Sequence, residues 1–237
     1  MTVEAIIQAV RFCIDEQALN SAEFTDASEY DFDGITTDNG LMNNIIRSKI
    51  GDAVRWVCLY APAELLGGSD EKRGGETVDT GILVDVDDVT PVGITDMDGG
   101  TITLPADFIK LARVRVQGWH RAIINPIAED SEEYLQLYDP NGAQATVDRP
   151  QAAIINRHNR LLEVWPSGNA SYTYIADVGD NSYTEGEGTE TVTHYPLPPK
   201  VKTAFIYYLA FLLLSAYNDP RSKQMLEIAK MNIGRNG

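Results

Sequence analysis

His120, His158 and His194 are the chain's three imidazoles, the side chains best suited to proton transfer near neutral pH and to binding zinc. None has a second His or Cys at a spacing that would close a metal site. His158 falls in Arg157-His158-Asn159, which reads as a hairpin loop, so a solvated histidine is expected there. Asp96, Asp98 and Gly99, in TDMDGGT, match the opening of a calcium loop. The later ligand positions and the closing Glu are missing, and an ordinary turn is the expectation. The acidic run DASEYDFDG lacks the spacing as well and reads as a solvated loop. Neither a GxSxG elbow nor a phosphate-cradling glycine loop occurs. Carboxylates abound, but a glycosidase needs two at a defined separation, which a linear pattern does not give. Trp119 and Trp165 have the rings for a sugar platform, although such residues more often build a core or an interface. No catalytic constellation emerges, and no cofactor or metal is expected.

The chain's 237 residues suffice for one large domain or two small ones, and 43% hydrophobic residues can build a real core. A formal net charge of -16 argues against nucleic-acid binding, because affinity for phosphate comes mainly from Lys and Arg. An acidic surface still suits a wall along which DNA must slide without sticking. Cys13 and Cys58 sit among apolar residues in helical patterns, which favours buried, reduced thiols and an intracellular origin over a disulfide.

Several elements must position whatever the chain does. Val3, Ile6, Ile7, Val10 and Ile14 recur at steps of three and four, predicting an amphipathic helix over residues 2–19. Asp38 is suited to cap a second helix carrying Leu41, Ile45, Ile46, Ile50, Val54, Val57 and Cys58 toward Leu66, with a bend at Pro62. GGSDEKRGGE reads as a flexible linker. The stretches GILVDVDDV, TITLPADFIKLARVRVQGW and QAAIINRHNRLLEVWPSGNASYTYIADVG are rich in β-branched and aromatic residues and punctuated by turns. Within them, Val114 and Val116 alternate with Arg113 and Arg115, giving one apolar and one basic face. Hairpin loops are expected at 157–159 and at 166–169. A short helix is expected after Asp130 or Ser131, with Glu132 and Glu133 in its first turn and a stop at Asp139-Pro140-Asn141-Gly142.

After Pro198 and Pro199 comes the least polar run, in VKTAFIYYLAFLLLSAYNDPRSKQ, where only Ser215 is clearly polar between Ala204 and Tyr217. A membrane span needs roughly 20 apolar residues, and Pro220 ends this run sooner. With no basic, cleavable leader in MTVEAIIQAV, a soluble protein is expected, with this helix buried on all sides. Phe205, Leu209, Leu212 and Leu213 are then candidates for the bundle core or a subunit interface. A last helix over 221–233 carries Arg221, Lys223 and Lys230, with Arg235 in the tail. This basic segment in an acidic chain is either a solvated face or a docking arm, and as an arm it is expected to be removable without loss of fold. The expected class is α+β: a helical bundle from residues 1–66 and 198–237, with a β-rich domain inserted over 67–197.

The order of these motifs resembles that of the head-to-tail connector proteins of tailed phages. These are also called adaptor or tail tubular A-like proteins, and they include ring proteins beneath the portal of crAss-like phages. Leu104, Pro105, Asp107 and Phe108 match the strand start; Pro150, Leu162 and Pro166 match a Pro-led hairpin; Pro198 matches the return to helix. The likeness covers residues 1–66 loosely and 101–233 better, and 67–100 has no counterpart.

The resemblance implies a non-enzymatic structural protein of the virion, at the head-to-tail interface, assembled in the host cytoplasm. It would form a homo-oligomeric ring, twelve-fold in that family, extending the DNA channel below the portal. Expected partners are further copies of the chain, the portal protein and other tail proteins, with DNA passing unbound and no membrane. Arg221, Lys223, Lys230 and Arg235 would dock on the portal. Two other readings compete: a carbohydrate-binding β-sandwich with helical flanks, and an enzyme hidden in the β insertion.

Overall fold

The computed structural model describes residues 1–19, 35–67, 70–73, 76–79, 82–95, 97–139, 144–155, 160–177, 183–185, 192–195 and 197–234. The fold is α+β. It opens with α1 (Val3–Leu19), α2 (Ile35–Tyr60) and α3 (Ala63–Leu66), followed by β1 (Asp70–Arg73) and β2 (Glu76–Asp79). The middle holds β3 (Leu83–Val89), β4 (Val92–Gly93), β5 (Gly100–Thr103), β6 (Phe108–Val116), β7 (Ile127–Ala128), α4 (Glu132–Tyr138), β8 (Gln151–Ile155), β9 (Leu161–Trp165) and β10 (Ala170–Ala176). The chain closes with β11 (Tyr183–Glu185), β12 (Val192–His194), a 3-10 turn at Pro199–Val201, α5 (Lys202–Ala216) and α6 (Ser222–Gly234).

Two compact units result. One joins Met1–Ile82 to Asp177–Gly237, and the other is Leu83–Ala176. The β unit therefore starts and stops inside the 67–197 span expected for it. Residues read as a flexible linker instead hold a strand pair, with Asp70 opposite Asp79 and Arg73 opposite Glu76. DEKR contains no β-branched residue and ETVD only the adjacent Thr77 and Val78, so the flanking glycines dominate the reading.

In the helical unit, Thr2 caps α1: its Oγ1 accepts from Ala5 N at 3.1 Å. Val3, Ile6, Ile7 and Val10 are buried, as their spacing requires. Asp38 lies inside α2 rather than at its N-cap, since that helix begins at Ile35. The buried face of α2 carries Ile46, Ile50, Ala53, Val54, Val57 and Cys58. Pro62, which lacks an N–H, separates α2 from α3.

At the centre is α5, which packs against α1, α2 and α6. It buries Ala204, Phe205, Ile206, Leu209, Ala210, Leu213 and Leu214. Each large side chain of this set contributes ~1.5–3 kcal/mol by leaving water. Burial is not complete, however: Tyr207, Tyr208, Phe211 and Leu212 form a stripe that stays half-exposed. Nor is α6 a detachable arm. Met225, Ala229 and Ile233 are buried, so removing the helix uncovers the bundle core.

The β unit contains two sheets, ordered β3-β10-β6 and β4-β5-β9-β8-β7, antiparallel throughout except for the parallel β7–β8 pair. The loop around residue 158 does join a hairpin, β8 to β9, but residues 156–159 themselves lie outside the described set. The 166–169 loop is different from its expectation. It carries the chain from the larger sheet to the smaller one, since β9 and β10 do not pair. A Cβ on Gly168 would stand 2.8 Å from Val116 Cγ1, so that crossing demands glycine. Ser131 is the cap of α4, accepting from Tyr134 N at 3.1 Å.

Candidate assembly surface

The open stripe of α5 is part of a larger apolar surface. Trp56 and Tyr60 stand one turn apart on α2, Tyr208 and Phe211 one turn apart on α5, and Leu226, Lys230 and Ile233 follow helical spacing on α6. These side chains line a groove of about 490 Å³. Trp56 and Tyr208 stack with centroids 4.0 Å apart and planes within 7°. Tyr60, tilted against Trp56, is 64% exposed. Burial, with Tyr60 and Asp52 nearby, pushes the Tyr208 hydroxyl above its ordinary range, so it stays neutral. Aromatic side chains are enriched at protein–protein contact surfaces. Among the described residues that line the groove the one cation is Lys230, which is exposed and reaches Glu227 Oε1 at 3.1 Å.

The residues singled out from sequence separate into distinct places. Phe205, Leu209 and Leu213 are enclosed in the bundle, whereas Leu212 lies on the open stripe. Arg221 turns inward: it pairs with Asp219 (Nη2 to Oδ2, 2.7 Å) and donates through Nη1 to the Ile14 carbonyl at 3.3 Å. It therefore ties the α5–α6 turn to α1, and the hydrogen bonds from its guanidinium and backbone N–H hold the Asp219 carboxyl below the ordinary carboxylate range. Lys223 and Lys230 remain exposed on α6, and Arg235 lies outside the described residues. The groove's Trp56, Tyr60 and Tyr208 were not singled out from sequence. Their signal was present in the i, i+4 pair of aromatics near the end of α2.

The β unit holds a second polar–aromatic cluster. Glu163 is only 6% exposed, and its carboxylate accepts from Tyr138 Oη (2.9 and 2.8 Å) and Tyr134 Oη (3.1 Å). Tyr138 meets Trp165 edge-on at 5.3 Å, beside a cavity of about 250 Å³ also lined by Met97, Asp98, Leu137 and Gln144. Burial and the shared carboxylate push both tyrosine hydroxyls upward, Tyr138 the further. Two neutral phenols are thus fixed on one buried carboxylate.

The remaining chemical candidates are likewise placed. His120 Nδ1 lies 2.6 Å from Asp148 Oδ1 in an exposed pair; His158 and Asp96 lie outside the described residues, and His194 ends β12. Of TDMDGGT, Met97, Asp98 and Gly99 precede β5 and Gly100 and Thr101 open it; the Asp98 carbonyl accepts from Ser167 N at 2.9 Å. Among the described residues no group of three or more His, Cys, Asp or Glu is arranged to hold a metal ion. Trp119 is 2% exposed with Nε1 donating to the Pro166 carbonyl, and Trp165 is 4% exposed and lines the cavity beside Tyr138, so neither ring is laid out on the surface. Cys13 is half-buried and Cys58 buried; burial, then the Asp177 charge, pushes the Cys58 thiol up to about 12. Among the described residues no helix is long and apolar enough to cross a membrane.

Comparison with protein-family models finds none that matches the chain, and comparison with curated proteins finds no match either.

Proposed function

We propose that the chain is a structural virion protein, a head-to-tail connector that forms a ring below the portal, extends the DNA channel and links portal to tail. The observation that carries this reading is the half-covered aromatic groove on α2, α5 and α6 in a bundle built from both ends of the chain. An uncovered surface of that composition suits a protein–protein contact. The architecture supports the same reading: a helical unit interrupted by a β unit is the arrangement that the motif order, from Leu104-Pro105 to Pro198, implies for this family. The net charge of -16 supports a channel wall that repels DNA instead of binding it. Lys223 and Lys230, exposed on α6, are assigned to the portal contact alongside the groove.

In this role the protein turns over no substrate and works by assembly alone. The test is its mass in solution by light scattering, alone and mixed with the portal protein of the same phage. A ring, alone or on the portal, is the expected result. A monomer under both conditions overturns the reading.

A further inference from the structure

The small sheet of the β unit is electrically polarised from edge to edge. On one edge, β3 (LVDVDDV) carries Asp85, Asp87 and Asp88 and no base; on the other, β6 (FIKLARVRV) carries Lys110, Arg113 and Arg115 and no acid. All six are exposed. The strand between them, β10, is neutral at the corresponding positions. Thr173 sits opposite Asp85 on one side and Arg113 on the other, and Ser171 opposite Arg115.

The central row is joined by hydrogen bonds across the sheet. Arg113 Nε donates to Thr173 Oγ1 at 2.9 Å, and Thr173 Oγ1 donates to Asp85 Oδ1. The order acid, hydroxyl, base thus runs across three strands and stops at each edge. Among the described residues no strand covers the outer edge of β3. On the other side, β6 exchanges two backbone hydrogen bonds with Ile123 through Val114, and Lys110 lines a hollow shared with Glu129 and Asp130. That leaves Arg113 and Arg115 as the exposed bases beyond it. Charged edges are a familiar guard against random strand pairing. Such a guard needs no opposite sign on the two edges, and in a chain of net charge -16 three clustered bases against three clustered acids form a complementary pair of surfaces.

We infer that the acidic edge of β3 in one copy abuts the basic edge of β6 in the next, so that neighbouring copies meet head to tail through this sheet. The inference rests on the ring reading and deepens it by naming the contact. Two different edges that fit each other give a heterologous interface, the kind that closes into a ring. The Asp85–Thr173–Arg113 row would then continue from copy to copy, each Arg113 lying between its own row and the next molecule's aspartates. Complementary charge also fixes register and rejects the like-with-like encounter of two β3 edges.

Two variants test it, one with Asp85→Lys and Asp87→Lys, the other with Arg113→Glu and Arg115→Glu. Both remain strongly acidic overall, so they have no general attraction for each other. Each alone should associate on the order of tenfold or more weakly than the unaltered protein. Mixed in equal amounts they should assemble again, because every β6 edge then finds a β3 edge of opposite sign. That rescue acts between molecules and leaves the altered row inside each one unrepaired, so a purely internal role for the row predicts no rescue. Circular dichroism confirms that each variant is folded. Unaltered protein that assembles, with both variants assembling equally well or with no rescue on mixing, overturns this contact and leaves the ring reading standing. Unaltered protein that stays monomeric, with or without portal, overturns both. A dimer and nothing larger overturns the head-to-tail arrangement.

Discussion

The guanidinium of Arg55, near the end of α2, holds the carboxylate of Asp177, with Nε 3.2 and 2.9 Å from its two oxygens. Asp177 is the first residue of the helical unit after the chain leaves β10. The pair therefore holds the first residue of the returning chain on α2, inside the helical unit. Arg55→Ala should lower the stability of the helical unit by about 1 kcal/mol or less, since both side chains are partly solvated. Asp177→Asn should do the same, and the double variant should cost no more than the worse single one. Additive losses in a thermal-unfolding cycle would show that the two residues act separately.

Glu163 offers a sharper loss. Its buried carboxylate is the acceptor for two phenol hydroxyls, so Glu163→Ala leaves Tyr134 and Tyr138 with donors facing a gap. A cost of ~1–3 kcal/mol to the β unit is expected. Glu163→Gln retains an acceptor oxygen and should cost less. Denaturant unfolding followed by near-ultraviolet circular dichroism, which reports tyrosine packing, gives the ranking. Equal stability of all three proteins would remove the network from the structural account.

Much of this was legible in the sequence because it rests on periodicity. The steps of three and four in α1 and α2, the Ser131 cap of α4 and the stop after α5 follow from local rules that tertiary packing did not override. The failures share a physical cause. Glycines around DEKR and ETVD signalled a linker, whereas the strand pairing there depends on partners that composition does not reveal. An apolar helix such as α5 has no polar face to show which side stays open, so its stripe of Tyr207, Tyr208, Phe211 and Leu212 needed the positions of α2 and α6. Glu163 is an exposed-looking acid in a strand pattern, and only the fold brings Tyr134 and Tyr138 over it. The basic helix looked like an arm because its charges are visible in sequence and the burial of Met225 and Ile233 is not.

Leu209 and Leu212 separate folding from assembly on a single helix. Leu209 is fully buried, and Leu209→Ala should cost ~2–5 kcal/mol through lost contacts and the cavity left behind. Leu212 is half-exposed beside Phe211, so Leu212→Asp should leave the melting temperature nearly unchanged while weakening any assembly that covers the stripe. Thermal unfolding and light scattering on the same samples make the comparison. An unfolded Leu212→Asp protein would place this residue in the core with its neighbour.

Stability should fall on the alkaline side, beginning with Cys58. Burial raises its thiol from an ordinary 9.0 to about 12, and burial with the Asp107 hydrogen bond raises Tyr174 from 10.0 to about 12. Both groups are neutral when protonated, and the folded state holds those protons more tightly than the unfolded chain. Above each ordinary value the unfolded chain releases its proton first and is favoured by doing so. The contribution is thus intact below about pH 9 and lost progressively as pH rises toward 12. Cys58→Ala removes the earlier of the two groups, so the decline should then start near pH 10, where the tyrosines begin to titrate. Denaturant midpoints measured from pH 7 to 11 for both proteins give the comparison, and coincident curves would mean that the Cys58 thiol has no part in alkaline unfolding.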